Sequence, residues 1–467
     1  MKGCLGTRSL LVTFSRLLGN RNSYQRNPLI LTDIGRCSSK SISTNHYENS
    51  IRNMSTQPQQ KSKETKLLHH MRSRISATGP MTVAEYMKEV LTNPMSGYYM
   101  HRDVIGSSTD ASVTSLDVSQ LYGELLAEWC LKEWKKIGKP RPLYVVEVGP
   151  GRGTLSDDML KVFSQSNDAR EVVSLHLVEV SPHLSQLQEL QLCGTVSVVK
   201  DVLEVDDSRR HLHLHANRDS DELMYKHNIT KHGVPVSWYR HLEDVPRGFS
   251  FYIAYELFDA LPIHKFQKTP EGWREVLIDI NEGPGENHLH YVLSRGPTPA
   301  SQFFIDPSET RDHVEVSPES GVLVQEMVSR LEKDGGFSLL IDYGHDGVKT
   351  DTFRAFKRQT LHDPLCEPGT ADLTADVDFS YLKKMAQGKA LTYGPITQEE
   401  FLKNMEAEKR LKKLLQSCTP EQQKEINSSY EMLIGPEMGQ NFKFLGLFPL
   451  DMKDLLTKKP PAGFFSN

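Results

Sequence analysis

The run Glu147-Val-Gly149-Pro-Gly151-Arg-Gly153-Thr154 sets an acid, three alternating glycines and a hydroxyl side by side. Glycines so spaced lack the Cβ that would keep a ligand off the backbone. A helix opening at Thr154 would add its free N–H groups. The spacing is GxGxG rather than the GxGxxG of dinucleotide binders, and Glu147 precedes it. A carboxylate there repels a pyrophosphate but can orient an ammonium group, directly or through water. Further on, Glu179 ends the next apolar run and is placed to accept hydrogen bonds from both hydroxyls of a ribose. Asp201, after a third run, is a candidate for an adenine amino group. Ammonium, ribose and adenine in that order describe S-adenosyl-L-methionine. The residues thus read as a class I methyltransferase, with Glu147, Gly149, Gly151, Gly153, Glu179 and Asp201 holding the cofactor. NAD binding is the alternative.

A second constellation is Ala254-Tyr-Glu256-Leu-Phe-Asp259-Ala-Leu-Pro262. Two carboxylates three residues apart can share one pocket and match the rigid fork of a guanidinium. Glu256 and Asp259 are the candidate catalytic pair, holding the attacking nitrogen in line with the methyl group. The competing reading has Asp259 capping a turn and Glu256 paired with Lys265. Asp342 and Tyr343, ending a later strand, are candidates for substrate contact, and His264 for a general base. Asp372, Asp376 and Asp378 could attract an arginine-bearing substrate or cap the helix expected over Phe379–Ala386.

To present these groups, strands must alternate with helices. Leu143–Val148, Ser174–Val180, Val196–Val199, Phe249–Ala254 and Ser338–Ile341 read as buried strands. Thr154–Ser164 and Leu184–Leu192 read as helices. This rhythm predicts an α/β, Rossmann-like doubly wound sheet, with its ligands at the carboxyl ends of the strands. Helical spacing also appears from Lys66, from the capping-box pattern Thr82-Val-Ala-Glu85 through Leu91, and over Ser119–Ile137. Ser208–Gly233, with His211, His213, His215, His227 and His232, reads as a polar surface insertion, and no acid or cysteine is spaced with these histidines to make a metal site. Trp273–Ile280 and His288–Leu293 suggest a hairpin. Leu391–Thr397 reads as a turn into the helix Gln398–Met405, and Glu406–Gln416 as a charged helix. The expected organisation is a leader and linker (1–60), an N-terminal helical region (61–140), a core with helical and β insertions (141–450) and a tail (451–467).

The chain has 467 residues and a net charge of −5. Its first 60 residues are rich in arginine and serine and poor in acids, the description of a mitochondrial transit peptide, and predict import into the matrix. The acidic remainder argues against general binding of phosphate backbones, so no nucleic-acid partner is expected. No apolar stretch is long enough to span a membrane. The six cysteines lack paired spacing; Cys4 and Cys37 are expected to leave with the leader, and the other four read as reduced thiols.

From Leu67 to Pro449 the sequence resembles the MidA-like family of mitochondrial and bacterial methyltransferases, protein arginine methyltransferases of mitochondria among them. The likeness rests on Asn93-Pro-Met-Ser-Gly-Tyr-Tyr99, Asp103-Val-Ile-Gly106, the 147–154 run, Leu177-Val-Glu-Val-Ser-Pro182, Phe258-Asp-Ala-Leu-Pro-Ile-His-Lys-Phe266, Ile341-Asp-Tyr-Gly344 and Gly369-Thr-Ala-Asp-Leu-Thr-Ala-Asp-Val-Asp-Phe379. The resemblance implies a matrix enzyme that symmetrically dimethylates an arginine of a core complex I subunit, NADH dehydrogenase iron–sulfur protein 2, in support of assembly. Two stretches depart from the family. Thr109, Ala111, Leu116 and Asp117 stand where it has glycine, phenylalanine, proline and glutamate. Glu400 and Glu406 stand where it tends to have glycine. The first departure leaves a second class open, an assembly chaperone that binds the subunit with little or no catalysis. Methylation of a nucleic acid or small molecule is a third.

Overall fold

A strand apolar along its whole length must be covered on both faces, and the structure supplies the covering layers. This computed structural model describes residues 63–101, 120–196, 223–283, 287–358, 360–416 and 418–465. The expected leader, the departing 109–117 stretch, Asp201 and His211, His213 and His215 lie outside the described residues. Described first are α1 (Lys66–Thr78), α2 (Val83–Thr92), begun by the Thr82–Glu85 capping box, and α3 (Gln120–Lys136). Then come β1 (Leu143–Val148), α4 (Thr154–Gln165), β2 (Val173–Val178), α5 (Pro182–Cys193), β3 (Met224–Ile229), β4 (Pro235–Tyr239) and β5 (Ser250–Tyr255). A smaller sheet uses β6 (His264–Thr269), β7 (Gly272–Ile280), β8 (Leu289–Leu293) and β9 (His313–Val316). After α6 (Pro318–Asp334) and β10 (Gly336–His345), a three-stranded sheet forms from β11 (Arg354–Lys357), β12 (Thr360–His362) and β13 (Asp372–Thr374). The chain closes with α7 (Phe379–Ala386), β14 (Ala390–Thr397), α8 (Gln398–Asn404), α9 (Ala407–Leu415), α10 (Pro420–Ile434), β15 (Phe442–Pro449) and α11 (Lys453–Lys458).

The main sheet runs β14-β15-β10-β5-β1-β2-β4-β3. From β10 to β4 each neighbouring pair is parallel, while β14, β15 and β3 pair antiparallel. Chain order moves outward from β1 to β4 on one side and from β5 to β10 on the other. The switch point, where such sheets bind ligands, therefore lies between β1 and β5. Leu125, Trp129, Leu155 and Met159 of α3 and α4 cover one face. Leu323, Met327 and Leu382 of α6 and α7 cover the other. Leu67 and Tyr86 of α1 and α2 pack instead with Ile278 and Leu373 of the smaller sheets. Gly336, at φ 121°, starts β10 so close to β5 that a Cβ would lie 2.0 Å from the Ser250 carbonyl oxygen. Only glycine allows that approach.

Several expectations are corrected. The sheet place beside β2 is taken by β4, where Val236 and Trp238 are buried, and the expected strand Val196–Val199 lies, but for Val196, outside the described residues. Residues 224–229, expected within a surface insertion, form β3 and pair with β4. Leu391–Thr397 is strand rather than turn. Gly394 and Pro395 fall at a register shift between Tyr393 and Ile396, where the ladder tolerates both. Within the expected tail, Phe464 is buried, and Trp129 Nε1 donates to the Ala462 carbonyl at 2.8 Å. Glu406 sits at φ 61°, the left-handed conformation glycine adopts freely. Among the described residues no helix is long and apolar enough to cross a membrane.

Candidate active site

The glycine turn lies between the carboxyl end of β1 and the start of α4. Gly149, Gly151 and Gly153 have φ of 88°, 51° and 82°, all in the region that excludes most side chains. Glu147 on β1 is buried and accepts a hydrogen bond from Ser156 Oγ in the first turns of α4. Glu179, just beyond β2, is fully buried. It accepts from Ser181 N at 2.7 Å and from Gln188 Nε2 at 2.9 Å. The same amide nitrogen donates to the Gly151 carbonyl at 2.7 Å, and Trp238 Nε1 donates to Gln188 Oε1 at 2.9 Å. Gln188 thus ties the glycine turn to the acid of the next strand. Ser181 Oγ donates to the Tyr99 carbonyl at 2.9 Å, anchoring the 93–99 motif beside it.

This arrangement fits S-adenosyl-L-methionine. Three positions of the turn carry no Cβ, and two carboxylates end adjacent strands. Each keeps acceptor capacity beyond the bonds above, since a carboxylate offers about four lone-pair sites. Burial pushes the Glu147 carboxyl up to about 7, against the Ser156 bond. Burial likewise pushes Glu179 up to about 8, against donors from Ser181, Gln188 and Val180. Folded, the cofactor-free chain holds these protons more tightly than the unfolded chain. The stability they contribute is present at acid pH and lost as pH rises through about 7 and 8. Donors on a cofactor favour the ionised forms, so the sign for binding is opposite. Affinity should be highest above about pH 8 and fall as pH drops, by up to about tenfold per unit for each proton taken up. Calorimetry across that range should detect proton release on binding. A flat profile would show that the ligand does not engage these carboxylates.

The second group gathers at the ends of β5 and β10, beside the first. Glu256 follows β5 at φ 49°, a strained backbone for a non-glycine residue, and its N–H donates to the Ile341 carbonyl at 3.0 Å. Tyr122 and Tyr255 lie close by, edge to face at 5.6 Å. Burial first, then the charge of Glu256, holds both phenols well above their ordinary range. Asp259 sits in a short 3-10 turn (Phe258–Ala260). Its N–H donates to Asp342 Oδ2 at 3.2 Å, its carbonyl accepts from Ala375 N at 3.0 Å, and its Oδ2 accepts from Thr374 Oγ1 at 3.3 Å. Tyr343 Oη is hydrogen-bonded to that same threonine hydroxyl. Glu256, Asp259, Asp342 and Tyr343 are all buried, and hydrogen bonds link Asp259 to Asp342 and, through Thr374, to Tyr343.

Other expectations fare differently. Lys265 pairs with Glu315 and Asp351, not with Glu256. His264 Nδ1 lies 2.6 Å from Glu275 Oε1, so the histidine is engaged by the smaller sheet. Asp378 caps α7, accepting from Ser380 N and Tyr381 N. Asp376 binds Lys349 and Arg354, and Asp372 accepts from Tyr99 Oη at 2.5 Å. The acids of 372–378 are thus already committed within the chain. Gln188 and Thr374 were missed. Gln188 had a signal: it shares a helical stripe with Leu184 and Leu192, all three buried, and a polar residue on such a stripe needs partners. Thr374 had none beyond lying in the 369–379 motif.

Residues 125–396 match the family described as S-adenosyl-L-methionine-dependent methyltransferase. The chain is 50% identical over 389 residues to the protein arginine methyltransferase NDUFAF7, mitochondrial, of Homo sapiens, covering 82% of this chain and 84% of that one. It is 46% identical over 404 residues to the homolog of that protein in Drosophila melanogaster, covering 85% and 88%. Among solved structures it is similar to a methyl transferase from Burkholderia thailandensis bound to S-adenosyl-homocysteine. There the TM-score is 0.62 at 20% identity, covering 82% of this chain and 91% of the other. At that identity the likeness speaks to the fold, a class I methyltransferase sheet.

Proposed function

The chain belongs to the MidA-like family of S-adenosyl-L-methionine-dependent methyltransferases, and from that premise we propose that it methylates a protein arginine in the mitochondrial matrix. The product is symmetric ω-dimethylarginine. The substrate is the complex I subunit NADH dehydrogenase iron–sulfur protein 2, whose modification supports assembly of the complex. The observation that carries this reading is the buried carboxylate group of Glu256, Asp259 and Asp342, beside the glycine turn at the switch point. A guanidinium offers the charge and the fork of donors that match such a group. The names of the mammalian and fly relatives support the same substrate class.

When bound, the cofactor supplies an electrophilic methyl group on its sulfonium. Glu147 orients the amino end, Glu179 accepts from the ribose, and the backbone of 149–153 lies against the ligand. Glu256 and Asp259 hold the guanidinium and balance its charge. Their burial keeps water from competing for it, and most of the rate gain comes from fixing one nitrogen in line with the methyl. Incubation of the chain with methyl-labelled cofactor and purified iron–sulfur subunit should yield labelled symmetric dimethylarginine after acid hydrolysis. An asymmetric product would overturn the assignment of one methyl group to each terminal nitrogen. Label recovered on other residues only, or none at all, would overturn the arginine reading.

A further inference from the structure

Asp259 is held at its N–H by Asp342, at its carbonyl by Ala375 and at its carboxylate by Thr374. The third contact fixes a direction. Thr374 has one hydroxyl proton and gives it to Asp259 Oδ2. Its bond to Tyr343 must then be one in which the phenol donates and the threonine oxygen accepts. Two O–H groups in series point at one carboxylate, and each polarises the next. Tyr343 is itself fixed. The Arg354 guanidinium lies 5.2 Å from the centre of its ring, and Phe442 packs edge to face at 5.7 Å. Arg354 and Thr374 are register partners across β11 and β13, and Asp376 holds Arg354 at 2.7 Å. The three-stranded sheet thus presents an arginine and a threonine to the end of β10.

We infer that Tyr343 and Thr374 form a positioning relay that orients the Asp259 carboxylate toward the guanidinium, and that the small β11–β13 sheet serves to hold this relay. The inference rests on the reading of Asp259 given above, and assigns Thr374 a part that its residue type alone does not suggest. The 3.3 Å separation of Thr374 Oγ1 from Asp259 is long for a hydroxyl bond, as expected of a catalytic contact that tightens when substrate binds. Thr374 touches neither cofactor nor substrate in this scheme; it acts through Asp259.

The test uses the full chain, with the iron–sulfur subunit as methyl acceptor. Thr374→Val keeps the shape and removes the hydroxyl. It should lower kcat by about 10- to 100-fold, as loss of a bond to a charged group does, with cofactor affinity within about twofold of wild type. Thr374→Ser should restore kcat to within about threefold, and Tyr343→Phe should cost less than Thr374→Val. The distinguishing readout is coupling: in an Asp259→Asn background, Thr374→Val should cause no further loss, because the residue it orients is gone. Independent, additive losses would mean that Thr374 only supports the fold, and the relay would be abandoned. A crystal structure of Thr374→Val with S-adenosylhomocysteine gives a readout that needs no acceptor. The Asp259 carboxylate should turn away from its wild-type position, and an unmoved carboxylate would overturn the relay. A wild type that transfers nothing to the subunit would count against the proposed substrate, and the carboxylate position would still decide the relay.

Discussion

Asp259→Asn is expected to bind S-adenosyl-L-methionine as the wild type does and to transfer its methyl group more slowly by a factor on the order of a thousand. The substitution changes one oxygen to an amide nitrogen in a fully packed place. The fold should hold, because the backbone bonds of Asp259 to Asp342 and Ala375 do not involve the side chain. Cofactor binding should hold because Glu147, Glu179 and the glycine turn lie at the ends of β1 and β2 and before α4. The lost negative charge is felt first by the guanidinium. An amide presents a donor where the guanidinium also presents one, so the substrate meets repulsion where it was oriented. Glu256→Gln should behave similarly, with an added shift in KM if Glu256 carries the larger part of substrate binding. Calorimetry for the cofactor and single-turnover methyl transfer to the iron–sulfur subunit separate the two effects. A loss of cofactor affinity matching the loss of rate would place Asp259 in the cofactor site and remove it from the catalytic pair.

Much of this site could be read from residue type and order. Glu147, the three glycines and Glu179 stand out because the proposed chemistry needs them at strand ends, and strand ends are visible where apolar runs stop. Glu256 and Asp259 are visible for the same reason, at the end of β5. What stayed hidden is what depends on pairing across distant segments. Nothing local in Met224–Ile229 tells a strand from a polar loop; β4 makes it one. Nothing in Gly394-Pro395 tells a turn from a bulge without the partner β15. His264 reads as a base until Glu275, from the neighbouring strand, is seen to hold it. Thr374 becomes interesting only when β13 carries it over Asp259 and Tyr343. Periodicity reports which face of an element is apolar, not which other element will meet a polar group, and in this fold the carboxylates proposed as the catalytic pair are held by such meetings.

Gly151→Val should abolish saturable cofactor binding, a fall of more than about a hundredfold, while leaving the chain folded. The argument is conformational before it is steric. Gly151 has a φ of 51°, and L-residues pay about 1–2 kcal/mol to enter that region, a β-branched residue more. The turn relieves such strain by rotating the peptide that follows. That peptide carries the Gly151 carbonyl, which accepts from Gln188 Nε2 at 2.7 Å. Gln188 also holds Glu179 and is held by Trp238. One added side chain therefore displaces the backbone facing the ligand and loosens the acid assigned to its ribose. Strain alone cannot account for the full loss, and a comparison shows this. Gly388 has a φ of 78° with nothing within 4 Å of an added Cβ, far in sequence from the turn. Gly388→Ala should cost about 1 kcal/mol of stability and leave the affinity unchanged. If Gly151→Val lowered stability alone, or if the Gly388 variant also lost the cofactor, the turn would be a structural device and the ligand would lie elsewhere. Coupling through Gln188 predicts a third result: Gln188→Leu should weaken binding with every glycine in place, since Gly151 and Glu179 then lose their common tie.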